Sequence, residues 1–222
     1  MDLPGLLAEH APGAPAGLGG CRNSGSPYPC CDHDVYIFDG AGPDNIAVHG
    51  KETATIHHCS IKEADSCSLA RYVGLDIISD PEWELQTMLV NIGERKNAIY
   101  SDCMRNSLVN SLFCTARSKD GPGPFAACWV KCAAVYLADA IMLYHGIRPS
   151  PAHMLQDFHG IKGGRTGSLF SIVSECLGME RATPVLLNRM SKSAAGFSDL
   201  AEGNGRSSII LQRRGTSQRP RF

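Results

Sequence analysis

The run Asp32-His33-Asp34-Val35-Tyr36-Ile37-Phe38 constrains the fold more than any other stretch of the chain. Four consecutive β-branched or aromatic residues, with Pro27 and Pro29 ahead and Asp39-Gly40 behind, read as a strand bounded by turns. Side chains alternate faces along a strand, so Asp32 and Asp34 point the same way. Two carboxylates side by side at the mouth of a buried strand repel each other and lose solvation unless a cation sits between them. Mg2+ suits that place, because it takes hard oxygen ligands and is held by one or two carboxylates plus substrate phosphates. Just ahead lie Gly25 and Ser26. A glycine lets backbone approach a phosphate closely, and a hydroxyl with backbone N–H groups binds its oxygens. The same residues also have an ordinary reading, since Asp-x-Asp makes Asx-turns and Gly-Ser-Pro is common in loops.

A Gly-Ser turn followed by Asp-x-Asp on a hydrophobic strand resembles the nucleotidyltransferase superfamily of DNA polymerase beta type, especially its minimal members. The resemblance implies that Gly25 and Ser26 hold nucleotide phosphates and that Asp32 and Asp34 bind Mg2+ and carry the catalysis. This chain departs from the pattern in two ways. Five residues separate Ser26 from Asp32, fewer than in most members. The family also places a third carboxylate on the neighbouring strand, where Thr53–Ile61 (TATIHHCSI) has His57 and His58, with Glu52 and Asp65 only at its ends. A histidine accepts a proton near neutral pH, so His57 or His58 stands in as general base, and His58 is the one assigned.

The 222 residues suffice for one large or two small domains. Hydrophobic residues at 43% against 19% charged describe a soluble globular protein, and a net charge of -1 argues against a surface built wholly for nucleic acid. The sequence predicts no run of membrane-spanning length. Asp2 and Glu9 near the start, with no basic-plus-apolar segment, predict no secretory signal and a reducing cytoplasm, in which the ten cysteines are mostly free thiols. Cys128 and Cys132, four apart around Trp129, read as small core residues of a helix. Cys30, Cys31, His33, His57, His58, Cys59 and Cys67 form an alternative zinc set, though without paired C-x-x-C spacing.

Along the chain, Leu3–His10 reads as a short helix and Ala11–Gly20 as a flexible, turn-rich connector. Gly40–Gly50 reads as a loop and Thr53–Ile61 as the partner strand. Within Leu69–Asp80 a short helix precedes a strand at Leu75–Ser79. Asp80 as N-cap with Pro81 at the first position opens the helical half. Tyr100–Arg117 puts Met104, Leu108, Leu112 and Phe113 on one face. Phe125–Tyr144 carries a stripe of Phe125, Trp129, Cys132, Tyr136, Ala140 and Leu143, and its apolar character nearly all round makes it the central helix of a bundle. On another line of it lie Lys131, Val135 and Asp139, either solvated charges or the polar lining of a cleft. Gly146 caps its end. Helices over 152–159, 168–178 and 181–193 complete the bundle, and Gly160–Gly167 lacks the residue order of a phosphate loop. The tail from Gly203 has five arginines and no acid, a composition of disorder.

The expected fold class is therefore α+β, a small mixed-sheet nucleotidyltransferase-like domain followed by an all-α bundle. The expected divisions are 1–20 for helix and connector, 21–80 for the α/β domain, 81–200 for the bundle and 201–222 for the basic tail. The second half resembles the HEPN-type helical domains that accompany minimal nucleotidyltransferases, which implies an acceptor held near Lys131, Tyr136 and Asp139, with Lys131 on the nucleotide. HEPN ribonucleases carry an Arg followed four to six residues later by a His, the spacing of Arg148 and His153, and these residues also have a plain structural reading. The implied activity is Mg2+-dependent transfer of a nucleotidyl group from an NTP, ATP foremost, to an acceptor that is a protein, an RNA or a small molecule. An RNA-cleaving HEPN-like domain and a non-catalytic nucleotide-binding module are the alternatives. No membrane partner is expected, and a homodimer is left open.

Overall fold

The computed structural model describes residues 3–23, 27–28, 31–40, 42–49, 52–120, 123, 125–161 and 166–203. The expected phosphate turn at Gly25 and Ser26, and the arginine-rich tail beyond Gly203, lie outside the described residues.

The chain is α+β, as its patterning predicts. In order come α1 (Leu3–His10), β1 (Ala16–Gly19), β2 (His33–Ile37), β3 (Asn45–His49), β4 (Glu52–His58), α2 (Ser66–Tyr72), β5 (Asp76–Ser79), α3 (Glu84–Glu94), α4 (Lys96–Lys119), α5 (Ala126–Tyr144), α6 (Met154–Gly160), α7 (Thr166–Leu177) and α8 (Pro184–Gly203). The described residues fall into two compact units. One takes in Met1–Ile61, Asp76–Leu85 and Ala182–Phe222, the other Lys62–Leu75 and Gln86–Arg181. The chain thus leaves the first unit after Ile61 and returns for β5, whereas the sequence reading cuts once near residue 80.

The first unit is a five-stranded mixed sheet in the order β3-β4-β2-β1-β5. β2 and β4 are parallel, with Asp34 opposite Thr55 and Tyr36 opposite His57, and the other pairings are antiparallel. Alternation sends Val35, Ile37, Ala54 and Ile56 to one face, where they are fully buried with Ala16 beneath Leu6 and Leu7 of α1. Asp34, Tyr36, Thr55 and His57 take the opposite face. Two strands stand where loops were expected. The Ala11–Gly20 connector contains β1, which sits between β2 and β5, and the Gly40–Gly50 loop contains β3, antiparallel to β4. On the polar face β1 offers only Gly17 and Gly19, opposite Tyr36 and Asp34, so no side chain crowds the acid from that side.

In the second unit α4 and α5 pack along their length through small residues. Cys103, Ser107, Ser111 and Cys114 form the buried face of α4, and the Ser111 hydroxyl donates to the Ala133 carbonyl at 2.9 Å. The expected face of Leu108, Leu112 and Phe113 is exposed instead, because small side chains let two helices approach more closely than a ridge of Leu and Phe allows. α5 departs from its expected stripe in part. Ala140 and Leu143 of that stripe are buried, but the line packed on Met154, Phe158 and Val173 is Ala134, Ala138 and Met142, while Phe125 is 69% exposed and Cys128 and Cys132 are exposed. By length and composition α5, at 19 residues, is long and apolar enough to cross a membrane, which corrects the expectation that no run reaches that length.

Helix ends follow local chemistry. Asp65 caps α2 by accepting from the Ser68 N–H at 2.8 Å. Gly146, at φ +73°, ends α5 in a Schellman motif, with Ile147 N donating to the Met142 carbonyl at 2.9 Å and Gly146 N to that of Leu143 at 3.0 Å. Asp80 accepts from Leu85 N at 3.2 Å, so α3 begins three residues beyond the expected Pro81, after Trp83 at φ +61°. α8 is grouped with the first unit rather than with the bundle it was expected to complete.

Candidate metal and nucleotide site

The polar face of the sheet gathers carboxylates around β2 and β4. Thr55 is the strand partner of Asp34, yet its hydroxyl donates to Asp32 Oδ2, so both acids lie over the same pair of strands. Asp34 Oδ1 is 3.2 Å from Nε2 of His57, and the other ring nitrogen, Nδ1, is 2.8 Å from Oδ2 of Asp44. The imidazole stacks on Tyr36, with ring centroids 4.7 Å apart. Burial draws the His57 pKa down, but the hydrogen bonds and charges of Asp34 and Asp44 outweigh it, and the net shift is upward from 6.5. His57 is therefore held toward its protonated form, with a carboxylate on each nitrogen.

The backbone makes room for this cluster. Gly20, at φ +76°, packs its α-carbon against the Asp34 carboxylate. A short 3₁₀ turn, Cys21–Asn23, follows it, and the Arg22 guanidinium donates through Nε to the Cys31 carbonyl at 3.0 Å.

Asp44 is the residue that reading the sequence missed. It stands just before β3 in a stretch that looked like loop, and the alternating Ile46 and Val48 behind it were the available signal. It brings a third carboxylate to the cluster through its contact with His57. The acids first considered for that place go elsewhere. Glu52 lies 3.7 Å from Arg22 and from His33, and Asp65 caps α2 in the other unit.

His58, expected as the base, is not brought to the Asp32–Asp34 pair. It points to the opposite face from His57, and its Nδ1 lies 2.9 Å from Asp39 Oδ2. The same alternation divides the expected zinc set. His57 and His58 face apart and are taken by carboxylates, Cys59 donates to the His57 carbonyl at 3.6 Å, Cys67 belongs to the second unit, and Cys30 lies outside the described residues.

The remaining expected residues belong to the second unit. Lys131 is exposed on α5, with Tyr136 and the half-buried Asp139 further along the helix. Burial alone pushes the Asp139 carboxyl up to about 6. Arg148 donates to the Arg71 carbonyl at 3.0 Å, and His153 is 6% exposed at the start of α6. A buried imidazole and an arginine tied to backbone suit packing better than RNA cleavage.

Two carboxylates and a hydroxyl on one face offer hard oxygen donors, a set that fits Mg2+ better than a soft metal. No protein-family model matches the chain, and no characterised protein matches it in sequence. Among solved structures the chain is similar to a nucleotidyltransferase-like protein from Exiguobacterium sibiricum, with 11% identity over 80% of this chain and 70% of that one and a TM-score of 0.33.

Proposed function

We propose that the chain is a Mg2+-dependent nucleotidyltransferase acting on an NTP, with ATP as the first choice. The observation that carries the reading is the convergence of Asp32 and Asp34 on one sheet face, with Thr55 and His57 holding one oxygen of each. Asp32 and Asp34 would hold the metal, which when bound neutralises charge on the α-phosphoryl group and acidifies the attacking hydroxyl. Thr55 orients Asp32 through its hydroxyl. His57, fixed by Tyr36 and Asp44, orients Asp34 and in its protonated form adds positive charge beside the acids. Gly25 and Ser26 are assigned the outgoing phosphates.

His57 replaces His58 as the histidine of the site, but its two carboxylate partners make it a poor resting base. The proton of the acceptor hydroxyl is better taken by a carboxylate, and we assign that role to Asp44, whose support is its 2.8 Å contact with His57. The acceptor is a hydroxyl or phosphate group on a protein, an RNA or a small molecule.

The test is incubation with each labelled NTP and Mg2+, offering the protein itself, tRNA and small metabolites as acceptors. Labelled product that disappears with EDTA supports the reading. Mg2+-dependent NTP binding without any product would make the chain a nucleotide-binding module.

A further inference from the structure

Cys21 and Cys31 flank the acid cluster. Cys21 follows Gly20, whose α-carbon packs on Asp34, and Cys31 is buried immediately ahead of Asp32. Their Sγ atoms lie within 4.8 Å of one another, and the Arg22 bond to the Cys31 carbonyl already ties the two ends of the intervening loop. We propose that these two thiols close into a reversible disulfide that switches off the site on the sheet, an inference that rests on the nucleotidyltransferase reading.

A disulfide needs the sulfurs at about 2.05 Å, so they must approach by up to about 3 Å. Cys21 is joined directly to Gly20, which packs on Asp34, and Cys31 directly to Asp32, so backbone adjustment that accompanies closure of the bond is passed straight to the metal-binding acids. It also closes a ring over residues 22–30, which in sequence include Gly25 and Ser26.

The oxidant is a low-molecular-weight disulfide such as glutathione disulfide. One cysteine attacks it as the thiolate and releases one glutathione thiol. The second cysteine then attacks the mixed disulfide and releases the other. Both protein thiols lose their protons, the protein pair is oxidised and the glutathione disulfide is reduced to two thiols. Burial, then the neighbouring Cys31 thiol, push the Cys21 thiol up to about 12. Cys21 is therefore the slower of the two to attack at neutral pH if its environment is unchanged by oxidant.

The experiment equilibrates the full chain in glutathione redox buffers, quenches with acid, alkylates free thiols and maps the peptides by mass spectrometry. Mg2+·ATP affinity and hydrogen exchange over Gly17–Asn23 and Asp32–Ile37 are measured in each state. We expect a Cys21–Cys31 crosslink, at least tenfold weaker Mg2+·ATP binding, altered exchange in both segments, and full recovery with dithiothreitol. Cys21→Ser and Cys31→Ser should each bind as the reduced protein does and ignore the oxidant. Pairing of Cys21 with another cysteine, or a crosslink that leaves exchange unchanged, overturns the proposal. So does a crosslinked protein with unchanged affinity. If the reduced protein binds no nucleotide, the functional reading fails, and the crosslink and exchange data still decide whether the thiol pair acts on the acids.

Discussion

Asp34 rests directly on the α-carbon of Gly20. A β-carbon added at Gly20 would fall 1.8 Å from Asp34 Oδ2 and 2.9 Å from its Cβ, so turning the carboxylate away does not clear the space. Gly20 also holds φ at +76°, where an L side chain is strained. Gly20→Ala is expected to cost about 2–3 kcal/mol in stability, combining left-handed strain with overpacking. Urea unfolding checks this, and a loss under about 0.5 kcal/mol would mean the contact is loose.

The His57 link sets a pH dependence. The folded-state pKa is raised above 6.5, so the stability it adds is fully present below about pH 6.5 and fades as pH rises through the folded value. Asp44→Asn removes one partner of the imidazole. It should destabilise by about 0.5–1 kcal/mol near pH 5.5, because Asp44 is partly solvent-screened, and by progressively less toward pH 9. Unfolding curves at several pH values measure it, and a difference that grows with pH would contradict the assignment.

Asp139 has a consequence of the same sign in a lower pH window. Its carboxyl is raised from 3.8 to about 6 by burial, so between those values the folded state keeps a proton that the unfolded chain has released. Stability contributed there falls as pH rises from about 4 to 6 and is then level. Asp139→Asn has no charge to bury and should gain about 1 kcal/mol at pH 7 after allowing for solvent screening, with little change at pH 4. Equal midpoints for both proteins at pH 7 would show that the carboxylate is solvated.

Metal binding should also be visible at His57. A cation shared by Asp32 and Asp34 weakens the hold of Asp34 on the imidazolium, so Mg2+ should lower the His57 pKa and release protons. Imidazole resonances titrated with and without Mg2+ test this. An unchanged pKa at saturating Mg2+ would place the ion elsewhere.

How much of this could be read from residues alone depended on side-chain size. β2 and β4 were legible because Val35, Ile37 and Ile56 alternate with polar residues, and Gly146 was legible because a left-handed cap needs glycine. β1 was not, since Ala-Gly-Leu-Gly carries almost no apolar alternation and its place in the sheet comes from tertiary pairing. On α4 the large apolar side chains pointed to the wrong face, because Ser107 and Ser111 win the contact by allowing close approach, whereas on α5 Ala140 and Leu143 of the expected stripe are buried and Phe125 is not. At the site, Asp32 and Asp34 were found by period two, as was the presence of a histidine on the next strand. Which histidine turns inward, and that Asp44 meets it, required the register of β4 against β2 and β3.

The most direct test of the site is Mg2+-dependent ATP binding by Asp34→Asn beside the wild type. The amide keeps the shape of the carboxylate, so the strand should still fold, with a modest loss of stability at acidic pH from the missing His57 ion pair, yet it has no charge and is a poor Mg2+ ligand. Binding and any nucleotidyl transfer should fall together, by about a hundredfold or more if the ion contributes several kcal/mol to the transition state. An Asp34→Asn protein that binds Mg2+·ATP and turns over at the wild-type rate would contradict the account.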